Sequence, residues 1–402
     1  MIANMQMTYN HWATRFWVPL FLSAVLLAVP MSATAKSIFL GLAVGFIVFA
    51  PAYWQDLRAT MSQLWCQAAL VLFFIALVGC VWSPATFKEQ MLVLEKYSKL
   101  LYLPILAVGF RDSRTRKLGV HAFLIAMLIT CFLSILKFTG VIKYHGIDPG
   151  HVFRNHIMTG YMMSFAAYLS ALLFVRAPGK MRIVYGSLAL LFSFQVLFIN
   201  TGRTGYLIYL LLMALLFIQT LTWRQALTGV LLGSLLLTSA YFLNSTIHSQ
   251  VGQAVTEWRH YQENKNTSVG YRLQFHEYAN TLFKRHPWIG NGTGSFTYLY
   301  RVEQPISSWN WRLLEPHSQY WLIAAEFGLL GLLALGFFFA SLLMTAFKLK
   351  SMRAVAIAVL LPFLVGNLSD SLLFYSGTGY CFIIFMALCL GERIGVRRSS
   401  IL

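Results

Sequence analysis

The sequence predicts an all-α polytopic membrane protein of about twelve transmembrane helices, with a helical insertion on the outer face between helices 9 and 10. Three observations carry this. Hydrophobic residues make up 58% of the 402-residue chain and charged residues only 11%, with a mean hydropathy of +0.65; a soluble domain carries roughly 25% charged residues. Apolar stretches close to bilayer-crossing length recur along the chain. They are continuously apolar, without the period-two alternation of a membrane barrel, and so select helices.

The first stretch, Trp17 to Pro30, has neither the basic leader nor the small-residue cleavage site of a secretory signal, and is expected to stay as a helix over 16–33. Further helices are expected over 37–54, 64–82, 98–110 (extending back toward Glu95), 118–137, 157–175, 183–199, 205–220 and 227–243. Residues 244–316 break the rhythm, being too long and too polar for a turn. Within them Tyr271, Phe275, Tyr278 and Leu282 share one helical face. That helix is expected to stop before Pro287, and Gly290-Asn291-Gly292-Thr293-Gly294 then supplies a flexible turn. Helices over 317–346, 354–370 and 377–391 complete the set. No soluble domain can be cut from either end, so residues 1–402 are expected to form a single membrane domain into which 244–316 is inserted.

The net charge of +18 raises the question of nucleic acid, but the excess reads as the positive-inside signal. With both termini inside, the inner loops hold Arg58; Arg111, Arg114, Arg116 and Lys117; Arg176, Lys180 and Arg182; Arg224; and Lys348, Lys350 and Arg353. The short outer loops hold only Lys36, Lys88, Lys96, Lys143, Arg154 and Arg203. All five cysteines, Cys66, Cys80, Cys131, Cys381 and Cys389, fall in apolar segments without a CxxC pair, as buried thiols do.

No DxD, HExxH or GxxxxGK[ST] pattern occurs, so no nucleotide-sugar metal site, zinc protease or phosphate-binding loop is suggested. The outer-face acids Glu257, Glu263, Glu277, Glu303 and Glu315 are scattered, and an anion handled there would meet arginine. Arg203 lies in Asn200-Thr-Gly-Arg-Thr-Gly205 at the start of a helix, where the backbone amides favour an anion; the plainer alternative is an arginine reaching lipid headgroups. Arg272 follows Ser268-Val-Gly-Tyr271 and reads either as a solvated surface residue or as a second guanidinium for a diphosphate. His317, in Glu315-Pro-His-Ser-Gln-Tyr-Trp321, is expected in the first turn of a helix begun by Pro316. The helix terminus and nearby arginines would hold it neutral, as a general base requires, unless it is only a polar cap. His145, His151, His156, Arg154 and Asn155 suggest either metal binding or contacts to sugar and headgroup, and their irregular spacing favours the second. Glu326 and Asp370 are acids within apolar stretches, functional or simply structural partners.

Four elements occur in one order: Thr-Gly-Arg-Thr-Gly (201–205), Ser-Val-Gly-Tyr-Arg (268–272), His-Pro-Trp-Ile-Gly-Asn-Gly (286–292) and Pro-His-Ser-Gln-Tyr (316–320). Together they resemble the O-antigen ligase superfamily with its Wzy_C-type core, best between Phe194 and Glu326. The superfamily includes lipopolysaccharide O-antigen ligases, O-antigen polymerases and periplasmic protein O-oligosaccharyltransferases.

The resemblance implies transfer of a preassembled glycan from undecaprenyl diphosphate to a sugar hydroxyl of lipid A-core, inverting and without ATP, metal or cofactor. It also implies a multi-pass protein of the bacterial inner membrane, with the 244–316 insertion periplasmic and both termini cytoplasmic. Arg203 and Arg272 resemble the diphosphate-binding arginines and His317 the catalytic base; Arg154, His156, Tyr271 and Gln319 complete the expected substrate contacts. The expected partners are the lipid-linked donor, the lipid A-core acceptor and membrane lipid, with no nucleic acid, and the protein is expected to be a monomer. The alternatives are a polymerase or protein oligosaccharyltransferase of the same superfamily, or, from another class, a transporter or flippase of polyprenyl-linked sugars built around Glu326.

Overall fold

The computed structural model describes residues 13–143, 148–225 and 245–399, with positions 227, 229, 238 and 242. The regular structure among the described residues is helical. In chain order the helices are α1 Val18–Met31, α2 Ala33–Phe49, α3 Trp54–Met61, α4 Leu64–Val78, α5 Phe87–Tyr97, α6 Lys99–Gly109, α7 Ser113–Phe138 and α8 His156–Arg176. They continue with α9 Gly179–Phe194, α10 Arg203–Thr220, α11 Ser245–Arg259, α12 Ser268–Arg285, α13 Ser295–Glu303, α14 Gln319–Phe347, α15 Arg353–Gly366 and α16 Ser376–Ser399.

The expectation of about twelve crossings is corrected. Among the described residues six helices are long and apolar enough to cross a bilayer: Ser113–Phe138, His156–Arg176, Gly179–Ile199, Arg203–Thr220, Gln319–Phe347 and Ser376–Gly395. A seventh is added only if Ala33–Phe49 and Pro51–Met61, bent by 81°, are one span. That stretch breaks where Ala50 is extended ahead of Pro51, as a residue preceding proline prefers. Elsewhere the reason is length: at about 1.5 Å per residue, roughly 20 residues are needed to cross the hydrocarbon. α4 has 15 residues, α15 has 14 and α6 has 11, and Arg15–Met31 is also among the shorter apolar helices. The stretch expected over 227–243 lies, apart from isolated positions, outside the described residues. Hydropathy overcounts because a helix can be apolar all round by being buried in protein. In α6, Leu100, Leu103, Leu106, Ala107 and Val108 are all buried, and so is Lys99. The alternating assignment of basic loops to two faces counted each stretch as one crossing, and loses that basis.

The contacts divide the chain into two compact units, Met1–Phe21 with Gly41–Arg116 and Glu257–Leu402, and Leu22–Leu40 with Lys117–Thr256. In the first unit α16 packs on α6, α14 on α4 and α12, and α15 on α16. Phe363 and Phe382 stack with centroids 3.9 Å apart. α14 is broken at Gly328, whose φ of 62° and ψ of −153° are non-helical. The peptide groups released by the break are taken up by the segment leaving α12: Leu329 N–H donates to Pro287 O at 2.8 Å, Leu330 N–H to Trp288 O at 3.0 Å, and Gly292 N–H to Glu326 O at 2.8 Å. Asn291 adds side-chain bonds to Leu282 O at 2.8 Å and Ala325 O at 2.9 Å. His286–Gly292 therefore fastens α12 to the broken helix. Thr293 N–H continues the join to α4 through Gly79 O at 3.1 Å.

In the second unit α8 packs on both α9 and α10. A Cβ placed on Gly160 of α8 would lie 3.2 Å from Gly205 Cα of α10, so the two backbones approach closely. All five cysteines are free thiols, Cys80 half-buried and the rest buried.

Candidate active site

His317 does not sit inside a helix. α14 begins at Gln319, with Ser318 as its N-cap and the Ser318 hydroxyl accepting from Trp321 N–H. His317 precedes the cap with φ of 56°, a left-handed conformation uncommon outside glycine. The fold holds it there through its neighbours. Its N–H donates to Glu315 Oε2 at 2.6 Å, and its carbonyl accepts from His276 Nε2 of α12 at 3.3 Å. The Phe275 ring lies parallel to its imidazole at 6.0 Å.

The imidazole itself is held by two carboxylates. Nδ1 is 3.3 Å from Asp370 Oδ1 and 3.3 Å from Glu315 Oε1. Tyr375 donates its hydroxyl to Glu315 Oε1 at 2.7 Å and lies 3.5 Å from His317 Nδ1. Arg272 Nη2 is 3.6 Å from the same Asp370 oxygen, with Asp370 fully buried and the arginine 30% exposed. Nε2 of His317 has no hydrogen-bond partner among the described residues. The side chain lines a cavity of about 320 Å³ with Glu315, Tyr375, Lys96, Trp309 and Arg312.

These surroundings correct the expected electrostatics of His317. Burial alone would lower its pKa, but the hydrogen bond to Asp370 and the charge of Glu315 outweigh burial and the opposing Arg272, and the value is raised above 6.5. The expectation weighed the helix end and arginines, whereas two carboxylates make the nearest contacts. His276 is shifted the other way, below 6.5, chiefly by burial. It suits a neutral ring donating to a carbonyl.

Asp370 and Tyr375 are carried by the turn between α15 and α16. Lys99, buried on α6, donates to Leu373 O at 2.6 Å and Tyr375 O at 3.1 Å. Gln319 is fully buried. Its amide nitrogen donates to Tyr97 Oη at 3.2 Å, and its oxygen accepts from Phe374 N–H at 3.0 Å, so both amide ends are engaged within the protein. Tyr271 packs edge-on to Trp309 at 4.8 Å, and its hydroxyl reaches Ser308 O at 3.4 Å.

Arg203, Arg154 and His156 belong to the second unit. Arg203 opens α10 after Gly202, and its Nη2 reaches Gln253 Oε1 at 3.4 Å. Nearby in sequence, Thr201 Oγ1 donates to Asp148 Oδ2 at 2.6 Å, and His156 Nδ1 stands 3.2 Å from that oxygen. Asp148 also accepts from Gly150 N–H at 2.8 Å. Arg154 Nη2 donates to Val29 O at 3.2 Å, and burial lowers its pKa. Asn155 caps α8. His145 lies outside the described residues.

Sequence reasoning missed Asp148, His276 and Tyr375, and left Asp370 undecided. Only Asp370 carried a signal, as an acid in an apolar stretch. Among the described residues no three His, Cys, Asp or Glu side chains gather as metal ligands.

The arrangement is suited to proton transfer. A neutral imidazole that donates from Nδ1 to Asp370 presents Nε2 as acceptor, in the tautomer and orientation its carboxylate partner sets. The family model described as O-antigen ligase, Wzy_C, matches residues 188–336. That range contains Arg203, Arg272 and His317, and stops short of Asp370 and Tyr375. The match supports the superfamily, and with it glycan transfer of the ligase or polymerase type in general. No curated protein matches the chain.

Proposed function

We propose that this protein is a lipopolysaccharide O-antigen ligase, transferring a preassembled glycan from undecaprenyl diphosphate to a sugar hydroxyl of lipid A-core. The observation that carries the reading is the His317 imidazole, fixed at Nδ1 by Asp370 and Glu315 at 3.3 Å beside Arg272, within reach of an open cavity. The family match over 188–336 supports glycan transfer of the ligase or polymerase type as the class of reaction.

In this reading His317 Nε2 takes the proton from the attacking sugar hydroxyl as the new glycosidic bond forms. The bond between the donor's anomeric carbon and its phosphate oxygen breaks, and the polyprenyl diphosphate leaves with the electron pair. Arg272 stabilises the charge growing on that leaving group, and the resemblance gives Arg203 the same role. A single displacement inverts the anomeric centre. The activated donor already carries the driving force, so neither ATP nor metal is required. Tyr271 holds the Trp309 segment at the cavity wall. In this reading the active face is the periplasmic one, where the lipid-linked donor and the acceptor meet.

The test is transfer in detergent with EDTA present, from undecaprenyl-diphosphate glycan to lipid A-core. Wild type should transfer, and His317→Ala, Arg272→Ala and Arg203→Ala should each lose the activity while remaining folded. A product in which the lipid-linked glycan is lengthened would make the protein a polymerase, and transfer to a polypeptide a protein oligosaccharyltransferase. Flipping of a lipid-linked sugar in proteoliposomes, lost in Glu326→Gln and kept in His317→Ala, would replace the enzyme reading by transport.

A further inference from the structure

A second cavity, of about 340 Å³, opens in the segment that follows α13, lined among others by Tyr300, Gln304, Trp309, Asn310, Trp311 and Arg312. It shares Trp309, Arg312 and Leu313 with the cavity at His317. We propose that this second cavity is a saccharide subsite, which holds sugar residues adjoining the one that reacts at His317; the assignment rests on the glycan-transfer reading.

The lining has the chemistry of a sugar-binding wall. A pyranose offers an apolar C–H face to an aromatic ring and a rim of hydroxyls to planar polar groups, and Trp309, Trp311, Asn310 and Gln304 supply both kinds of partner. Trp311 is 78% exposed, a large apolar face left in solvent at the cavity mouth.

The wall is also rigid before any ligand arrives. Phe275 meets Trp309 edge-on at 5.1 Å and Tyr300 edge-on at 6.0 Å. Gln304, left-handed at φ of 43°, ends α13, its N–H donating to Tyr300 O. Charge narrows the ligand further. Arg301 is paired with Glu89 at 3.1 Å, whereas Arg312 makes no ion pair among the described residues and lines both cavities. A saccharide bearing a phosphate or carboxylate fits that wall best. The competing use of exposed tryptophan is anchorage in a membrane interface; the shared wall with the His317 cavity favours the sugar.

The saccharide could belong to the acceptor or to the donor, so two water-soluble probes are needed: deacylated lipid A-core oligosaccharide, and the glycan freed from its lipid diphosphate. Each is titrated calorimetrically into the full chain in detergent, as wild type, Trp311→Ala and Arg312→Gln. Trp311 is exposed, so its removal leaves the core intact. One oligosaccharide should bind wild type and bind each variant roughly five- to ten-fold more weakly. The same substitutions should raise KM for the parent substrate in the transfer assay and leave kcat within about two-fold. The probe that responds identifies the source.

Binding of neither probe to wild type, or binding unchanged in both variants, would overturn the subsite even if transfer proceeds. A Trp311→Ala effect confined to partition into phospholipid vesicles would also overturn it, in favour of membrane anchorage. Saccharide binding lost in the variants, in a wild-type protein that transfers nothing, would overturn the proposed enzyme while supporting the subsite.

Discussion

The chemistry turns on one ring nitrogen. With Nδ1 of His317 held by Asp370 and Glu315, the pKa is raised above 6.5, so the unprotonated ring gains population only as pH climbs through that raised value. If that ring is the general base, transfer should rise with pH on an acid limb displaced upward from that of an unperturbed histidine and flatten beyond it. Asp370→Asn removes a hydrogen-bonded charge that raises the pKa, so the limb should move to lower pH; a pH–rate profile with an unmoved limb would show that Asp370 does not tune the base. His317→Ala should cost roughly 10²- to 10⁴-fold in kcat, the usual share of a general base. Arg272→Lys keeps the charge and loses the planar fork, so it should recover only part of the activity lost in Arg272→Ala, measured as kcat/KM for the donor. His317 and Arg272 could be picked out from residue type and flanking sequence. Their partners could not, because Asp370 and Tyr375 stand 53 and 58 positions from His317 and only the fold brings them to Nδ1. The direction of the His317 pKa shift was misjudged for the same reason, together with a helix start placed ahead of its true cap at Ser318.

The broken helix α14 shows how an element can be specified by its neighbours. Gly328 has φ of 62°, and a Cβ there would stand 2.6 Å from Trp288 C and 2.7 Å from Gly290 N. Gly328→Ala therefore meets both backbone strain and rigid backbone atoms, and should destabilise the protein by about 2 kcal/mol or more. A Cβ added at Gly336, in the same helix, would have nothing within 4 Å, and Gly336→Ala should leave the thermal midpoint in detergent unchanged or slightly raised. Equal midpoints for the two variants would contradict the fastening role of His286–Gly292. Lys99 acts similarly on the other side of the site. Lys99→Met strands the carbonyls it now satisfies around Leu373 and Tyr375, and should destabilise the protein by about 1–3 kcal/mol per group left unpaired, read as a lower thermal midpoint. The helix carrying Tyr271 to Leu282 was visible in the sequence, and α12 runs from Ser268 to Arg285, just ahead of Pro287. The glycine-rich turn after it was also visible. Its insertion into a helix more than 30 positions onward was not, because main-chain hydrogen bonds of this kind leave no periodicity.

Composition spoke clearly for a membrane protein, and much less clearly for the number of crossings. A bundle this apolar makes protein-facing and lipid-facing helices look alike, so α4, α6 and α15 read as full spans although they have 15, 11 and 14 residues. The charge of the chain has a different reach. Lys96 and Arg312 line the His317 cavity and Arg272 stands beside it, and their combined field should draw a donor carrying two phosphate charges. Salt would screen that attraction: the Debye length falls from about 10 Å at 0.1 M to about 3 Å at 1 M. Raising sodium chloride across that range should therefore raise KM for the lipid diphosphate donor several-fold, while kcat, set by groups already in contact at His317, changes little. An uncharged osmolyte at the same osmolality should do neither. A KM indifferent to salt would mean that donor recognition rests on short contacts alone, and that the excess of arginine and lysine serves only the orientation of the chain in its membrane.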